Sequence, residues 1–385
     1  MIATDGITSR KLSPKRCPSD LLCYLSKRSG MITDRWLFDD DWLPETLYHR
    51  RSERDQLLRA FEPLTDSNRA EDVLVSGPSG VGKTTSIRHV LRRELRDHVF
   101  DWSMVNSSNT RSAILHEAAV KHRIETAVRP QAPAETLTSA LERIVDRPYV
   151  VVLDEADTIR DLAVVRDLLD VPMVSVVAIV HNPREWLTRL DEDVQTYFSM
   201  RSQVTLERYS EDELADILEP RVEQGLDPGV VRDGQLEWIS DEVAGVARYG
   251  IKSLLSAAEL AEERDHDYLH ERDVRDSFER ARKKMRQSGL RSLPFGPCLI
   301  YELLRFADAD LVEGSRLHSL YETHAPDAYA DRDHEPVSRR RVNDYLAKLV
   351  EYDLVRQHGE NRWAEYEVID QGLEAPVQLG LPADA

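Results

Sequence analysis

The apolar positions change period several times along the chain, and each change marks an element or a boundary. From Trp36 to Leu64 the stretch centred on "PETLYHRRSERDQLLRAF" predicts an entry segment and a helix. "DVLVS" (72–76) is a short apolar run that predicts a strand, and "GKTTSIRHVLRREL" after it carries a helical period. A further strand is expected near "FDWSMVNSS", then two helices in "NTRSAILHEAAVKHRI" and "AETLTSALERIV". "YVVVLDEAD" and "MVSVVAIVHN" are continuous β-branched runs, the pattern of strands buried on both faces. Strands alternating with helices predict a parallel sheet covered on both sides. After "VTLERYS" only helical periods follow, opened by an S-x-x-E capping box at Ser210 and Glu213 and continuing to about Gln287. "RSLPFG" marks another boundary, and residues 290–370 read as three helices and then two short strands around "GEN". The expected organisation is an N-terminal segment (1–35) without period and expected to be disordered, an α/β unit (36–207), a helical unit (208–288), a mixed unit (289–370) and a tail (371–385).

Within the α/β unit, Gly77, Pro78, Ser79, Gly80, Val81, Gly82, Lys83, Thr84 and Thr85 form a complete G-x-x-x-x-G-K-[ST] loop and its exit, between a predicted strand and a predicted helix. Glycines let backbone N–H groups close on phosphates, the helix start adds positive potential, Lys83 reaches the outer phosphates and Thr84 holds Mg²⁺. ATP or ADP with Mg²⁺ is the implied ligand set. The strand "VVVLDEAD" ends in Asp154 and Glu155, placing Asp154 by the metal and Glu155 by the attacking water. A second carboxylate there argues against small-molecule kinases. The letters D-E-A-D invite comparison with RNA helicases, but the next strand ends in "HNP" and no second sheet domain follows. Asn182 in that "HNP" is placed to touch the γ-phosphate or orient the water, or else is a plain loop residue.

Composition adds the setting. The 385 residues hold 70 Asp plus Glu against 51 Lys plus Arg, a net charge of −19, and 42 of the 51 bases are Arg against 9 Lys. Excess acid with little Lys fits a salt-loaded cytoplasm, where repulsion is screened within ~3 Å at ~1 M salt; a GC-rich mesophilic genome is the alternative. Cys17, Cys23 and Cys298 have neither metal-site nor disulfide spacing. The longest apolar run, "VPMVSVVAIV", is too short to span a bilayer, and the polar, basic start is unlike a signal peptide. A cytoplasmic protein with no membrane partner is expected.

In the helical unit, "AGVARYGIKSLLSAAELAEE" puts Val243, Val246, Ala247, Ile251, Leu254 and Ala258 on one stripe, with Arg248 at its edge. By itself Arg248 reads as a solvated helical arginine. With the phosphate loop and the Asp-Glu strand, Gly245-Val246-Ala247-Arg248 resembles the Gly-x-x-Arg sensor of AAA+ ATPases. From about Phe38 to Asp370 the chain resembles the archaeal replication-initiator family, relatives of the eukaryotic origin recognition complex and helicase loader. "PETLYHRRSE" is similar to that family's entry motif, "LERYSEDELADILEPRVE" to its lid entrance and "ELAEERDHDYLHERDVRDSFERA" to the end of its lid. The resemblance implies an α/β AAA+ P-loop core with a parallel sheet (36–207), an all-helical lid (208–288) and a C-terminal winged-helix domain (289–370).

It also implies roles. Glu155, Asn182 and Arg248 would serve hydrolysis and γ-phosphate sensing, and His49 and Arg50 would sit near the adenine. "VSRRRVNDYLAKLVEYDLV" would be the recognition helix and "RQHGENRWAEYEVI" the wing, with Ser338, Arg339, Arg340, Arg341, Arg356 and Arg362 against DNA. A helix inserted in the core within 109–147 would touch DNA too. Implied partners are double-stranded origin DNA, the replicative helicase and other initiator copies, with slow ATP hydrolysis as a switch. One departure stands out. Where the family often carries an arginine acting on a neighbouring subunit's nucleotide, "LDEDVQTY" has Asp193, leaving Arg201 as a substitute or no such function. A diverged winged-helix regulator holding nucleotide as a scaffold, and a clamp-loader-like ATPase, stay open as alternatives; "SMRS" lacks the Cys of the clamp-loader finger.

Overall fold

The computed structural model describes residues 30–377, apart from 107–109, 123–128, 130–131, 199–201, 308, 331–334 and 360–362. The N-terminal segment through residue 29, including Cys17 and Cys23, therefore lies outside the described residues, as do Arg201 and Arg362.

After α1 (Arg51–Phe61) the core contains β1 (Val73–Ser76), α2 (Lys83–His89), β2 (Asp101–Asn106), α3 (Arg111–Lys121) and α4 (Ala134–Ile144). It continues through β3 (Tyr149–Asp154), α5 (Ala163–Leu169), β4 (Val174–Val180), α6 (Pro183–Thr188), α7 (Glu192–Gln195) and β5 (Gln203–Thr205). The five strands are all parallel, in the order β2-β3-β4-β1-β5. Alternation along each strand splits the core in two. Leu74, Val151, Leu153, Val176 and Ala178 face the side covered by α3, α4 and α5. Val73, Val75, Val150, Val152, Val177 and Ile179 face Leu57, Phe61, Ile87 and Leu91 on the other. Because both faces are buried, the strands read as unbroken apolar runs rather than alternating ones. The carboxyl ends of β1, β3 and β4 meet at one edge, where an α/β sheet binds its ligands.

The lid is α8 (Glu211–Gly225), α9 (Gln235–Glu242), α10 (Ala247–Glu263) and α11 (Glu271–Ser292). The capping box forms: Glu213 N–H donates to Ser210 Oγ at 3.3 Å and Ser210 N–H to Glu213 Oε2 at 2.9 Å. Met31, Leu37 and Phe38 precede the sheet in sequence but pack in the lid's own cluster, with Thr33 N–H bonded to Gly225 O. Gly225 leaves room for this, since a Cβ there would lie 2.8 Å from Phe38 Cε2. The entry segment thus ties the lid to the core before the chain enters the sheet.

The last unit comprises α12 (Phe295–Phe306), β6 (Val312–Glu313), α13 (Gly314–Tyr329), α14 (Arg339–Glu351), β7 (Val355–His358) and β8 (Glu365–Val368). Its antiparallel sheet, ordered β6-β8-β7, closes over a separate cluster that includes Leu299, Leu303, Leu317, Val342, Leu346 and Leu349. Three helices and a β-ribbon make it a winged helix. Strand β6 is an addition to the two strands expected from the sequence; with two residues it has no period to detect. Of the tail, residues 371–377 are described: Tyr301 donates its hydroxyl to Asp370 O and Leu373 O, and Ala375 N–H bonds Glu302 Oε1 at 2.6 Å. No described helix is long and apolar enough to cross a membrane.

Candidate functional site

The loop from β1 to α2 owes its shape to glycine. Gly77, Gly80 and Gly82 have φ of 145°, 76° and 91°, conformations that side chains resist. A Cβ on Gly77 would lie 2.2 Å from Leu206 O, and one on Gly80 would lie 2.7 Å from Val246 Cγ1 at the lid. Close backbone approach is therefore built in on both sides. Val81 is fully buried beneath the loop. Lys83 is also buried, and its Nζ donates to Gly77 O at 2.6 Å and Pro78 O at 2.8 Å. Burial pulls the Lys83 ammonium below its usual pKa, opposed by the charges of Asp154 and Asp157.

Between core and lid this loop borders a cavity of about 430 Å³. Ser79, Gly80, Gly82, Lys83, Thr84 and Thr85 line one side; Asp154, Glu155 and Arg248 also reach it. Thr84 donates its hydroxyl to Asp154, 3.1 and 3.2 Å from the two carboxylate oxygens. Burial, and then the charge of Glu155, push the Asp154 carboxyl above its ordinary range. A hydroxyl beside a desolvated carboxylate is the hard, all-oxygen donor set that suits Mg²⁺, and a cation there would offset that penalty.

Arg248 enters from the first turn of α10. Its backbone N–H bonds Gly80 O at 3.2 Å, and its guanidinium pairs with Asp40 at 2.7 Å. Burial works to raise the Asp40 pKa, but Arg248 and Lys252 hold it below the ordinary carboxylate value. A phosphate arriving in the cavity would therefore compete with Asp40 for Arg248.

Of the residues expected at the nucleotide, Gly77, Pro78 and Val81 of the loop do not line the cavity, and neither do Asn182, His49 and Arg50. Asn182 is exposed and caps α6, its Oδ1 accepting from Glu185 N–H at 3.3 Å; His181, one position earlier, lines the cavity instead. His49, at φ 54°, pairs with Asp216 of the lid at 2.7 Å. Arg50 is buried, donating to Tyr209 Oη at 3.0 Å and Glu207 O at 2.5 Å, with its guanidinium 3.8 Å from the Tyr209 ring centroid. His49 and Arg50 both fasten the entry segment to the start of the lid. The flat, apolar wall is made by Trp42, Pro44, Leu47 and Tyr48 of the entry segment with Ile217 of the lid. Arg221 lies over the Trp42 ring at 4.5 Å, and burial lowers its pKa to about 10. The signal for this wall was present in "DDDWLPETLY", whose apolar residues have no helix or strand to serve.

Glu155 is held in a left-handed backbone conformation, φ 53°, at the end of β3. Its Oε2 accepts from Lys348 Nζ at 2.5 Å and its Oε1 from the Tyr352 hydroxyl at 2.7 Å, both from the winged helix. Burial acts to raise its pKa, but Lys348 and these hydrogen bonds bring it below the usual value.

At the other end of α14, Ser338 is the N-cap residue, without a side-chain capping bond, and Arg340 is exposed. Arg339 pairs with Glu322 at 2.8 Å, and Arg341 pairs with Asp344 at 3.2 Å and lies over the Tyr345 ring. On the wing, Arg356 pairs with Glu367 at 3.1 Å. Asp193, where the sequence resemblance leads one to expect an arginine, accepts from Arg166 at 2.5 Å.

Comparison with known proteins agrees with this architecture. The sequence model for the AAA ATPase domain matches residues 46–180, and that for the Cdc6 AAA+ ATPase-type lid domain matches 215–279. ORC1-type DNA replication protein 9 of Halobacterium salinarum is 28% identical over 356 residues, covering 90% of this chain and 97% of the relative. ORC1-type DNA replication protein 1 of the same organism is 27% identical, covering 82% of this chain and all of the relative. Among solved structures, the Aeropyrum pernix ORC1 protein in complex with DNA superposes with a TM-score of 0.67 at 22% identity, over 89% of this chain and 94% of that one. The Pyrobaculum aerophilum Cdc6p structure gives 0.60 at 20% identity, over 90% and 95%. With a phosphate loop, a Cdc6-type lid and a winged helix in one chain, the protein is similar over most of its length to the archaeal ORC1-type DNA replication proteins.

Proposed function

We propose that this chain is a DNA-bound switch rather than a motor: an ATPase that recognises double-stranded origin DNA and helps load the replicative helicase, with slow hydrolysis ending the active state. The observation that carries the reading is the cavity between core and lid, where the phosphate loop, the Thr84–Asp154 pair and Arg248 of the lid converge. Mg²⁺, held by Thr84 and Asp154, would supply charge neutralisation for the phosphates. This chain's residues do the rest. Lys83 exchanges its two carbonyl partners for outer phosphate oxygens, and the Trp42–Tyr48 wall receives the base. Arg248 leaves Asp40 for the γ-phosphate, so nucleotide state sets how firmly the lid sits on the core. Because α11 runs directly toward α12, the lid's angle is passed to the winged helix and to Ser338, Arg339, Arg340, Arg341 and Arg356, with Arg362 on the same wing in sequence.

The test compares binding of the purified protein, in high KCl, to fragments of its own genome with that of an Arg339, Arg340, Arg341→Ala triple variant, each with ATP and with ADP. Tight binding to a few repeated sites, lost in the variant and altered by nucleotide, is the expected result. Weak, uniform binding indifferent to the variant would refute origin recognition by α14. The Asp193–Arg166 pair favours a second reading, a regulator that does not activate a neighbour. On that reading Glu155→Gln leaves an already near-zero hydrolysis rate unchanged.

A further inference from the structure

Glu155 and its two winged-helix partners lie 193 and 197 positions apart in sequence, yet they meet at the edge of the nucleotide cavity. The meeting is more than one ion pair. Arg160 of the core donates to the Tyr345 hydroxyl at 2.9 Å, and His181 Nε2 lies 3.4 Å from Glu351. Tyr345, Lys348 and Tyr352 follow one another at helical spacing, so a single face of α14 makes the seam. The Tyr352 ring sits in a notch on α11, where a Cβ at Gly289 would come within 2.7 Å of Cδ1. Lys348 Nζ lies 4.8 Å from that ring, and its side chain is only 13% exposed.

The chemistry of this seam opposes that of hydrolysis. A carboxylate that orients or deprotonates water needs an oxygen turned to the water and its negative charge intact. Here each oxygen of Glu155 accepts a bond from the winged helix, and an ammonium group balances the charge at contact distance. Burial pushes the Tyr352 phenol pKa up, so its hydroxyl stays a donor. The arginine-bearing start of the same helix lies about 14 Å from Lys348, at 1.5 Å per residue.

We propose that α14 is a brake on ATP hydrolysis: Lys348 and Tyr352 hold Glu155 idle, and double-stranded DNA engaging the arginine end of the helix draws the other end off the carboxylate. The release step rests on the functional reading above; the brake rests only on Glu155 serving hydrolysis. Lys348 and Tyr352 are positioning residues, acting through Glu155.

The decisive variant is Lys348→Met with Tyr352→Phe, which keeps volume and removes both donors. Steady-state hydrolysis should rise about tenfold in kcat, a fraction of what a positioned general base contributes, with KM and fluorescent-nucleotide affinity unchanged. Adding Glu155→Gln to the double variant should cancel the gain. An unchanged or lower rate in the double variant, or a gain that survives Glu155→Gln, overturns the brake. Tyr352→Phe alone guards against misfolding, since it removes one hydroxyl and should give a smaller gain in the same direction. Duplex DNA should stimulate the wild type and leave the double variant at its raised rate; equal stimulation of both overturns the release. Should no duplex bind at all, the origin-binding reading and the release step fail together, and the brake is still judged by the rates without DNA.

Discussion

Two regions of this molecule present positive groups to phosphate, and they are built in opposite ways. The phosphate loop is buried and made mostly of main chain: glycines at positive φ, an ammonium enclosed by carbonyls, a helix start behind it. The start of α14 is exposed and made of side chains, with Arg339 and Arg341 already paired to acids and Arg340 reaching into solvent. The difference fits the ligand proposed for each. One nucleotide of fixed shape repays a preformed cradle. A duplex needs a surface whose ion pairs can be exchanged, and exposed pairs are weak because solvent screens them, so exchange is cheap. In a chain of net charge −19, acids beside these arginines also restrain them from nonspecific contact.

If the loop is the rigid partner in this comparison, its failures should be abrupt. Lys83→Ala should weaken ATP binding by about 100-fold, the worth of two charge-assisted hydrogen bonds at ~1.5 kcal/mol each. A fluorescent-nucleotide titration reads this directly, and a loss below about fivefold would mean that the glycine cradle alone holds the phosphates. Gly77→Ala acts on the fold itself. Its φ of 145° and a Cβ 2.2 Å from Leu206 O force the backbone to move, at a cost of about 2 kcal/mol. Denaturant unfolding in the absence of nucleotide should show that loss, and an unchanged midpoint would mean that the loop is adaptable after all.

The same contrast explains what the sequence revealed. The loop was legible because a main-chain cradle needs glycines at fixed spacing. The strands beside it were legible because burial on both faces forces unbroken runs such as "YVVVLD". What escaped depends on contacts distant in sequence. Met31, Leu37 and Phe38 announce that they are buried but not that they are buried in the lid. Asn182 and His181 are adjacent, and only the direction in which β4 ends decides which one faces the cavity. The bonds of His49 to Asp216 and of Arg50 to Tyr209 join residues far apart in the chain, and no local pattern announces them. Lys348 and Tyr352 carried no signal at all. On a basic helix they look like surface residues until the winged helix is placed against Glu155.

The exposed region should fail gradually, and its three arginines should not be equal. Each phosphate contact that releases a counterion contributes about 0.9 to the slope of log affinity against log salt. Arg340 has its guanidinium free to meet a phosphate, so Arg340→Ala should lower that slope by about one and weaken binding roughly evenly across sequences. Arg339 must first leave Glu322, and the carboxylate it abandons would then face the duplex. Arg339→Ala should therefore cost less than Arg340→Ala. Glu322→Gln, which releases the same arginine and removes the like charge, should strengthen binding, most visibly at low salt. Titrations of one duplex across a KCl series would rank the three variants. If Arg339→Ala proves as costly as Arg340→Ala while Glu322→Gln changes nothing, the acids beside the arginines are bystanders. The start of α14 would then be a preformed site for its ligand, built on the same plan as the phosphate loop.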